Sequence, residues 1–154
     1  MCLWYPNKIE PDKPITVYKV FEVEDGPDGQ VYHSPYNKYA NHSTWKVGVM
    51  NELVEYKGIL DTWSPVTGDN IYAPYCVGYG AFHSYAELKS AFNVANDFAE
   101  SFKCKKYVVG ECLIPVDSEY VYEGIDGRQR KSYASQKLML LSIVDESNLW
   151  EKID

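Results

Sequence analysis

The stretch SYAELKSAFNVANDFAESFK, residues 84–103, decides the fold because it carries the clearest helical pattern in the chain. Ser84 and Glu87 have the spacing of a capping box, in which the serine hydroxyl accepts a first-turn N–H and the glutamate bonds back. The pattern predicts a helix over 85–103 with Ser84 as its N-cap, packed on a sheet. Its apolar face recurs every three or four positions, at Leu88, Ala91, Phe92, Ala95, Phe98, Ala99 and Phe102.

The segments on both sides of this helix favour the strands of that sheet. The run 45–56 fits either a strand or a short helix, and residues 57–80 have the glycines and prolines of a long surface excursion. Runs of β-branched and aromatic residues predict strands at 15–23, 30–36, 106–115, 118–124 and 133–144.

The ends of the chain differ from its middle. Residues 1–14 contain three prolines and are expected to be an irregular lead-in, whereas residues 145–154 form an acidic tail. No change of composition marks a second domain. The sequence therefore predicts one α+β domain over residues 1–154, with a mixed, mostly antiparallel sheet and one main helix packed on it.

Composition and charge limit the possible partners. Fifteen basic and 22 acidic residues give a net charge of −7, which disfavours duplex nucleic acid because that partner needs lysine and arginine to neutralise its phosphates. Fourteen tyrosines can mark a binding surface, but the alternative we favour is that tyrosine simply suits strands. No apolar run has the length of a membrane span and no leader pattern begins the chain, so we expect no membrane partner and a cytoplasmic location.

The four cysteines do not form a recognisable motif. Cys2, Cys76, Cys104 and Cys112 include no CxxC pair, and with three histidines they do not predict a metal site. Cys2 would become an N-terminal nucleophile if Met1 were removed, but an ordinary second residue fits better. A pair between one of the thiols and His83 needs a proximity that spacing alone does not show, and buried cysteine usually behaves as a small hydrophobe.

Three other features have both a chemical and a structural interpretation. His83 precedes the predicted N-cap, where the helix N–H groups could hold a phosphate or carboxylate, but a histidine bonded to backbone is the alternative we favour. Glu111 lies in an apolar strand as either a perturbed acid or a residue that faces water, and the second fits better. A basic loop either binds an anionic group or is a solvated turn, as is more usual, at Arg128, Arg130 and Lys131.

The order of segments in the second half of the chain resembles the ADP-ribosyltransferase superfamily, in its poly(ADP-ribose) polymerase branch. The resemblance is carried by GYGAFHSYAELKSAFNVANDF, KYVVGECLIP, SEYVYEG and YASQKLMLLSIV, with VYKV as the first strand. It implies a nicotinamide–ribose pocket on that strand, where this chain has Tyr18 and Lys19 in place of histidine. The catalytic glutamate of the branch corresponds to Ser132, just before Tyr133, and transfer needs that carboxylate to stabilise positive charge on the ribose.

The chain also resembles small phage and prophage proteins through MCL, AFH and YASQKL. That resemblance implies an accessory protein that binds or antagonises a host protein. We therefore predict a non-enzymatic binding protein of this phage type, with no required cofactor. The alternative is a binder of an NAD- or nucleotide-derived small molecule on a degenerate transferase-like fold. An active transferase that uses Glu111 or Glu119 is a third hypothesis, which we favour less. The superfamily layout predicts one tyrosine-rich cleft lined by Tyr18, Lys19, Ser34, Tyr36, His83, Ser84, Tyr85, Tyr133 and Ser135.

Overall fold

The structure is a computed structural model that describes residues 3–35, 44–53, 76–77 and 81–144. These residues form ten strands and one helix. The strands are β1 (Leu3–Lys8), β2 (Ile15–Gly26), β3 (Gly29–His33), β4 (Met50–Glu52), β5 (Cys76–Val77), β6 (Phe82–Tyr85), β7 (Lys106–Ile114), β8 (Val121–Ile125), β9 (Lys131–Ser135) and β10 (Lys137–Ile143), and the helix is α1 (Leu88–Ser101).

The strands form one sheet in the order β4-β10-β7-β2-β6-β9-β8-β1-β5, with β3 also paired to β2. Every pairing within the described ranges is antiparallel, so the predicted antiparallel character is confirmed and the expectation of a mixed sheet is wrong for them. The α+β class is confirmed in its coarse form. The long strand β2 lies near the middle and pairs with β7 from Ile15 to Val23.

The sheet curls, because two strands that are consecutive in the chain pair with different parts of the sheet. β9 pairs with β6 and β8, whereas β10 pairs with β7 and β4, yet Gln136 alone separates β9 from β10. Gln136 accepts a hydrogen bond from the Glu119 N–H (2.9 Å) and donates to the Leu53 carbonyl (3.1 Å). The predicted strand 133–144 is therefore two strands with a tightly bonded kink between them.

Two cores lie on opposite faces of β2. Alternation along the strand sends Val17 and Phe21 to one face and Val20 to the other. The first face, here the inner core, gathers Val17, Phe21, Trp45, Leu53, Phe82, Cys112, Ile114, Val121, Tyr133, Leu138 and Leu140. The second, the helix-side core, gathers Val20, Tyr85, Leu88, Ala91, Val94, Ala95 and Val109, and so joins α1 to the sheet.

The helix begins at Leu88, three residues after its predicted start at residue 85. Its N-cap is Glu87, which makes no side-chain capping bond, and Ser84 and Tyr85 belong to β6 instead. The predicted start at residue 85 and the Ser84 cap are wrong because residues 82–85 pair with 132–135 of β9 over four positions. A buried strand ladder satisfies more backbone groups than one capping bond does.

The predicted irregular lead-in is wrong for residues 3–8. They form β1, which pairs with β8 and, at its start, with β5. Pro6 is tolerated because the register with β8 shifts between Trp4 and Asn7, where a ladder hydrogen bond is not required. Tyr5 has a φ of 52° at this irregularity.

Several other expectations fall partly outside the described residues. Residues 145–154 and most of 57–80 are among them, so the tail and the surface excursion stay predictions. The ambiguous run 45–56 contains the strand β4 and an isolated bridge between Trp45 and Tyr32. In the part of the chain that is described, no helix combines the length and apolar character of a bilayer span.

Candidate functional site

The sheet divides the nine residues predicted for one cleft. Alternation and register place four of them on the inner face: Lys19, Ser84, Tyr133 and Ser135. Three lie on the helix side: Tyr18, His83 and Tyr85. Ser34 is buried just beyond β3, and Tyr36 lies outside the described residues. A single cleft containing both groups is therefore not formed, because the backbone of β2 and β6 stands between them.

The inner group lies beside a break in the pairing of β2. On the flank away from β7, β2 pairs with β6 at Tyr18 and with β3 from Glu22 onward. The described pairings leave residues 19–21 between these two partners. Continuing the register of Tyr18 with Tyr85 by one residue brings Lys19 opposite Ser84. At this break the Lys19 side chain donates a hydrogen bond to the backbone of β6.

Lys19 occupies the break with its charged end inside the protein. The residue is 8% exposed, and its Nζ donates a hydrogen bond of 3.0 Å to the His83 carbonyl oxygen of β6. The same Nζ lies 5.9 Å from the centre of the Trp45 ring, within cation–π range. No carboxylate of the described residues lies within ion-pair distance of it. A buried ammonium without a counter-charge is costly unless a partner is supplied.

Trp45 covers the break on the same inner face. Its ring packs edge-on against Phe21 of β2 at 5.4 Å and against Phe82 of β6 at 5.2 Å. Its indole Nε1 is buried and has no hydrogen-bond partner in the described structure. The Ser84 hydroxyl is likewise buried and unpartnered there. We call Lys19 Nζ, Ser84 Oγ and Trp45 Nε1 the donor cluster.

The donor cluster is costly in the protein as it stands. A buried polar atom without a partner typically costs about 1–3 kcal/mol. Burial lowers the Lys19 pKa from 10.5 to about 8, an effect that the nearby Cys112 thiol partly opposes. Sequence reasoning selected Lys19 and Ser84 for a binding site but missed Trp45, because the run 45–56 was ambiguous. A tryptophan that directly follows a polar segment was the available signal.

Cys112 faces the inner core, where its thiol is expected to be unreactive. Burial raises the pKa of its thiol to about 12, Lys19 opposes that rise and Glu111 adds to it. The Sγ makes a long hydrogen bond of 3.7 Å to the Gly110 carbonyl. A thiol held protonated is a poor nucleophile, so this cysteine acts as core packing.

The helix side offers a different environment. Tyr18 lies opposite Glu111 on β7, and burial followed by the charge of Glu111 raises the Tyr18 pKa. Glu111 is itself half-buried. The Glu111 side chain lies on the opposite face of the sheet from the donor cluster, so its carboxylate and the Lys19 ammonium are on different faces.

The basic loop is neutralised by its neighbours. Arg128 donates to Asp97 of α1 at 3.1 Å, and Arg130 lies 3.4 Å from Asp126 and 3.8 Å from Asp97. Lys131 pairs with Glu123 at 3.7 Å. These acids already hold the cations that an anionic ligand would need. An open cavity of about 320 Å³ lies here, between the second half of α1 and the loop.

Neither a metal cluster nor a known relative points to the chemistry of the described residues. Among the residues described, no three His, Cys, Asp or Glu side chains gather in a way that could hold a metal ion. In comparisons with known proteins, the chain matches no family model, no curated protein and no solved structure. The resemblances to ADP-ribosyltransferases and to phage proteins therefore stay predictions.

Proposed function

We propose that this protein is a non-enzymatic binding protein whose ligand is a small molecule bearing an anionic oxygen, as the phosphate of a nucleotide-like compound does. The donor cluster carries the proposal: Lys19 Nζ lies 5.9 Å from the centre of the Trp45 ring, and the buried Trp45 indole N–H and Ser84 hydroxyl have no hydrogen-bond partner among the described residues. A ligand oxygen has the lone pairs that such donors require.

The chemistry of the cluster favours an anion over a neutral ligand. The Lys19 ammonium has three donors, of which one bonds the His83 carbonyl, and hydrogen bonds to a charged acceptor are about twice as strong as neutral ones. Ser84 and Trp45 add one donor each. An anion would accept hydrogen bonds from donors that are costly when they are buried without a partner.

Binding without turnover is supported by where the candidate acids lie relative to the donor cluster. In the predicted resemblance to the transferase branch, Ser132 corresponds to the catalytic glutamate. Glu111, the other candidate acid, belongs to the helix side with Tyr18. Glu119 is exposed, before β8. A reaction that builds positive charge on a sugar needs a carboxylate against that sugar.

Thermal melting with defined ligands tests the proposal. Inorganic phosphate, AMP, ADP-ribose and NAD are added separately, and a ligand present at 100 times its Kd should stabilise the native state by about 2.7 kcal/mol. Lys19→Met should abolish the ligand-induced rise, whereas the exposed Lys46→Met should keep it. The proposal would be wrong if no ligand raised the melting temperature of the wild type, or if a ligand raised that of Lys19→Met equally.

A protein ligand is the second candidate, of the kind that a phage-type antagonist of a host protein would bind. Its support is Tyr5, an aromatic side chain that is 63% exposed on a backbone with φ of 52°. Strained backbone of this kind is often kept at functional positions. The net charge of −7 favours a basic partner surface.

Affinity capture with variants as bait tests the second candidate. Wild-type protein should retain one host protein at stoichiometric yield, Tyr5→Ser should lose it, and the similarly exposed Val116→Ser should keep it. Equal retention by Tyr5→Ser would show that Tyr5 does not contribute to such an interface.

A further inference from the structure

A cavity of about 430 Å³ lies on the helix side of the sheet, between α1 and the beginning of β7. We propose that residues 145–154 of this same chain cover the cavity, with the side chains of Leu149 and Trp150 inserted between α1 and β7. These residues lie outside the described structure and follow directly after Val144, which lines the cavity. The inference goes beyond the proposed function and is independent of the donor cluster, which lies on the opposite face of the sheet.

The walls of this cavity are mostly apolar and are incompletely covered. Phe92, Ala95 and Ala99 recur at helical spacing on one face of α1, and Phe92 is only half-buried while Ala99 is exposed. Tyr107 and Val109 of β7 supply the wall on the sheet. An apolar cavity of about 150 Å³ holds one benzene molecule, so this larger space has room for an indole ring and an aliphatic side chain.

The end of β10 brings the chain to the cavity. Ile143 of β10 lies opposite Gly110 of the antiparallel strand β7, and the Val144 N–H donates a hydrogen bond of 2.8 Å to the Val109 carbonyl. Continuing in this direction takes the chain toward Lys106, along the side of β7 that borders the cavity. Val144 itself packs against the helix-side core. Residues 145–154 therefore start beside the surface that we expect them to cover.

The sequence of the segment, DESNLWEKID, suits such a surface. Leu149, Trp150 and Ile153 are its apolar residues, in an otherwise polar stretch. Six residues of extended chain span up to about 20 Å, whereas seven residues of helix rise only about 10 Å, so Trp150 is within reach of the helix face. Because the segment is tethered beside the cavity, its effective concentration there is in the millimolar range, which favours it over a second copy of the chain.

The charges of the segment and of the cavity edge are complementary. The segment has four acidic residues and one lysine, a formal charge of −3, and Asp145 and Glu146 begin it. Lys105 and Lys106 line the cavity. Lys105 lies 3.1 Å from Glu22, whereas no carboxylate in the described parts of the chain lies within ion-pair distance of the exposed Lys106. Exposed ion pairs contribute little to stability, so the charges orient the segment and the apolar side chains hold it.

Hydroxyl-radical footprinting with mass spectrometry measures the contact. The oxidation rate of Trp150 in the full chain is compared with that of the same tryptophan in the free peptide DESNLWEKID, in a parallel sample that receives the same radical dose. We expect Trp150 to be oxidised at least about fivefold more slowly in the chain, because a docked side chain reacts only when the segment opens. Equal rates in the chain and in the peptide overturn the inference.

Two variants of α1 identify the place of contact. Ala99→Glu fills the cavity from its wall and adds a negative charge beside an acidic segment, so Trp150 should lose its protection. Asn93→Glu is the matched control, since Asn93 is exposed on the same helix outside the cavity lining, and it should leave Trp150 protected. Protection that persists in Ala99→Glu, or that is lost equally in both variants, contradicts docking at this cavity.

The same measurement at several protein concentrations, with size-exclusion chromatography, distinguishes the chain's own segment from that of a second copy. Protection of Trp150 should be constant while the protein elutes as a monomer. Protection that appears only as a dimer forms makes the second copy the occupant and overturns the inference. The comparison of the wild type with the free peptide holds whether or not the variants fold.

Discussion

Replacing Lys19 by methionine is expected to stabilise the protein at neutral pH. Burial lowers the lysine pKa from 10.5 to about 8, and one pKa unit corresponds to about 1.4 kcal/mol, so the charged form costs the native state about 3 kcal/mol. Methionine keeps an unbranched stem beside Trp45 and removes the charge. It also leaves the His83 carbonyl without its donor, at about 1 kcal/mol. The net gain in the free energy of unfolding should be about 2 kcal/mol.

The gain should depend on pH in a defined direction. Because the native-state pKa of Lys19 is lowered, the unfolded chain binds more protons between pH 8 and 10.5, and wild-type stability from this group rises with pH in that window. The cost is fully present below pH 8 and is lost by 10.5. The advantage of Lys19→Met over wild type should therefore shrink by about 3 kcal/mol across the window.

Urea unfolding of both proteins at pH 7, 8, 9 and 10.5 measures this difference. Other groups that titrate in the same range act on both proteins and cancel in the comparison. Lys46→Met is the matched control, since Lys46 is exposed and its replacement should change the free energy of unfolding by less than about 0.5 kcal/mol at every pH. A variant less stable than wild type at pH 7, or a gap that stays constant from pH 8 to 10.5, would refute the buried, uncompensated ammonium on which the donor cluster depends.

Three further predictions concern the inner core and its closure. Gly110→Ala adds a Cβ that meets core side chains of two strands and should destabilise the protein by about 1–3 kcal/mol in urea, whereas Gly127→Ala, in open space, should change little. Native-state alkylation followed by mass spectrometry should label the exposed Cys104 and spare Cys112 until the protein unfolds; equal labelling would contradict the burial of the latter. Gln136→Ala should cost about 2–3 kcal/mol of unfolding free energy, since it removes bonds to three groups across the strand kink, and an unchanged urea midpoint would disprove that role.

The elements with strong local patterns could be predicted from the sequence. The strands β2, β3, β7 and β8 lie in or close to the segments expected for them, and α1 lies within residues 85–103. Each of these segments has a period or a β-branched composition that the tertiary structure reinforces. Agreement between local preference and the final fold made them recognisable.

The errors arose where long-range pairing opposed a local signal. The Ser84–Glu87 spacing favours a helix cap, but pairing with β9 holds Ser84 in a strand. Three prolines argued against a strand at the N-terminus, but a register shift in β1 accommodates Pro6. The predicted cleft failed for a related reason, because adjacent residues such as Tyr18 and Lys19 point to opposite faces once β2 is formed. Sequence spacing does not reveal which face will bind.

The pairing of the first strand has a consequence for synthesis of the protein. Leu3 of β1 pairs with Val77 and Trp4 pairs with Ile125. More than a hundred residues must therefore leave the ribosome before β1 can pair with both neighbouring strands. Contacts so distant along the chain make folding slow and leave strand edges open on the ribosome meanwhile. Yield in cells should therefore respond to translation speed and chaperone supply more strongly than the stability of the finished protein would indicate.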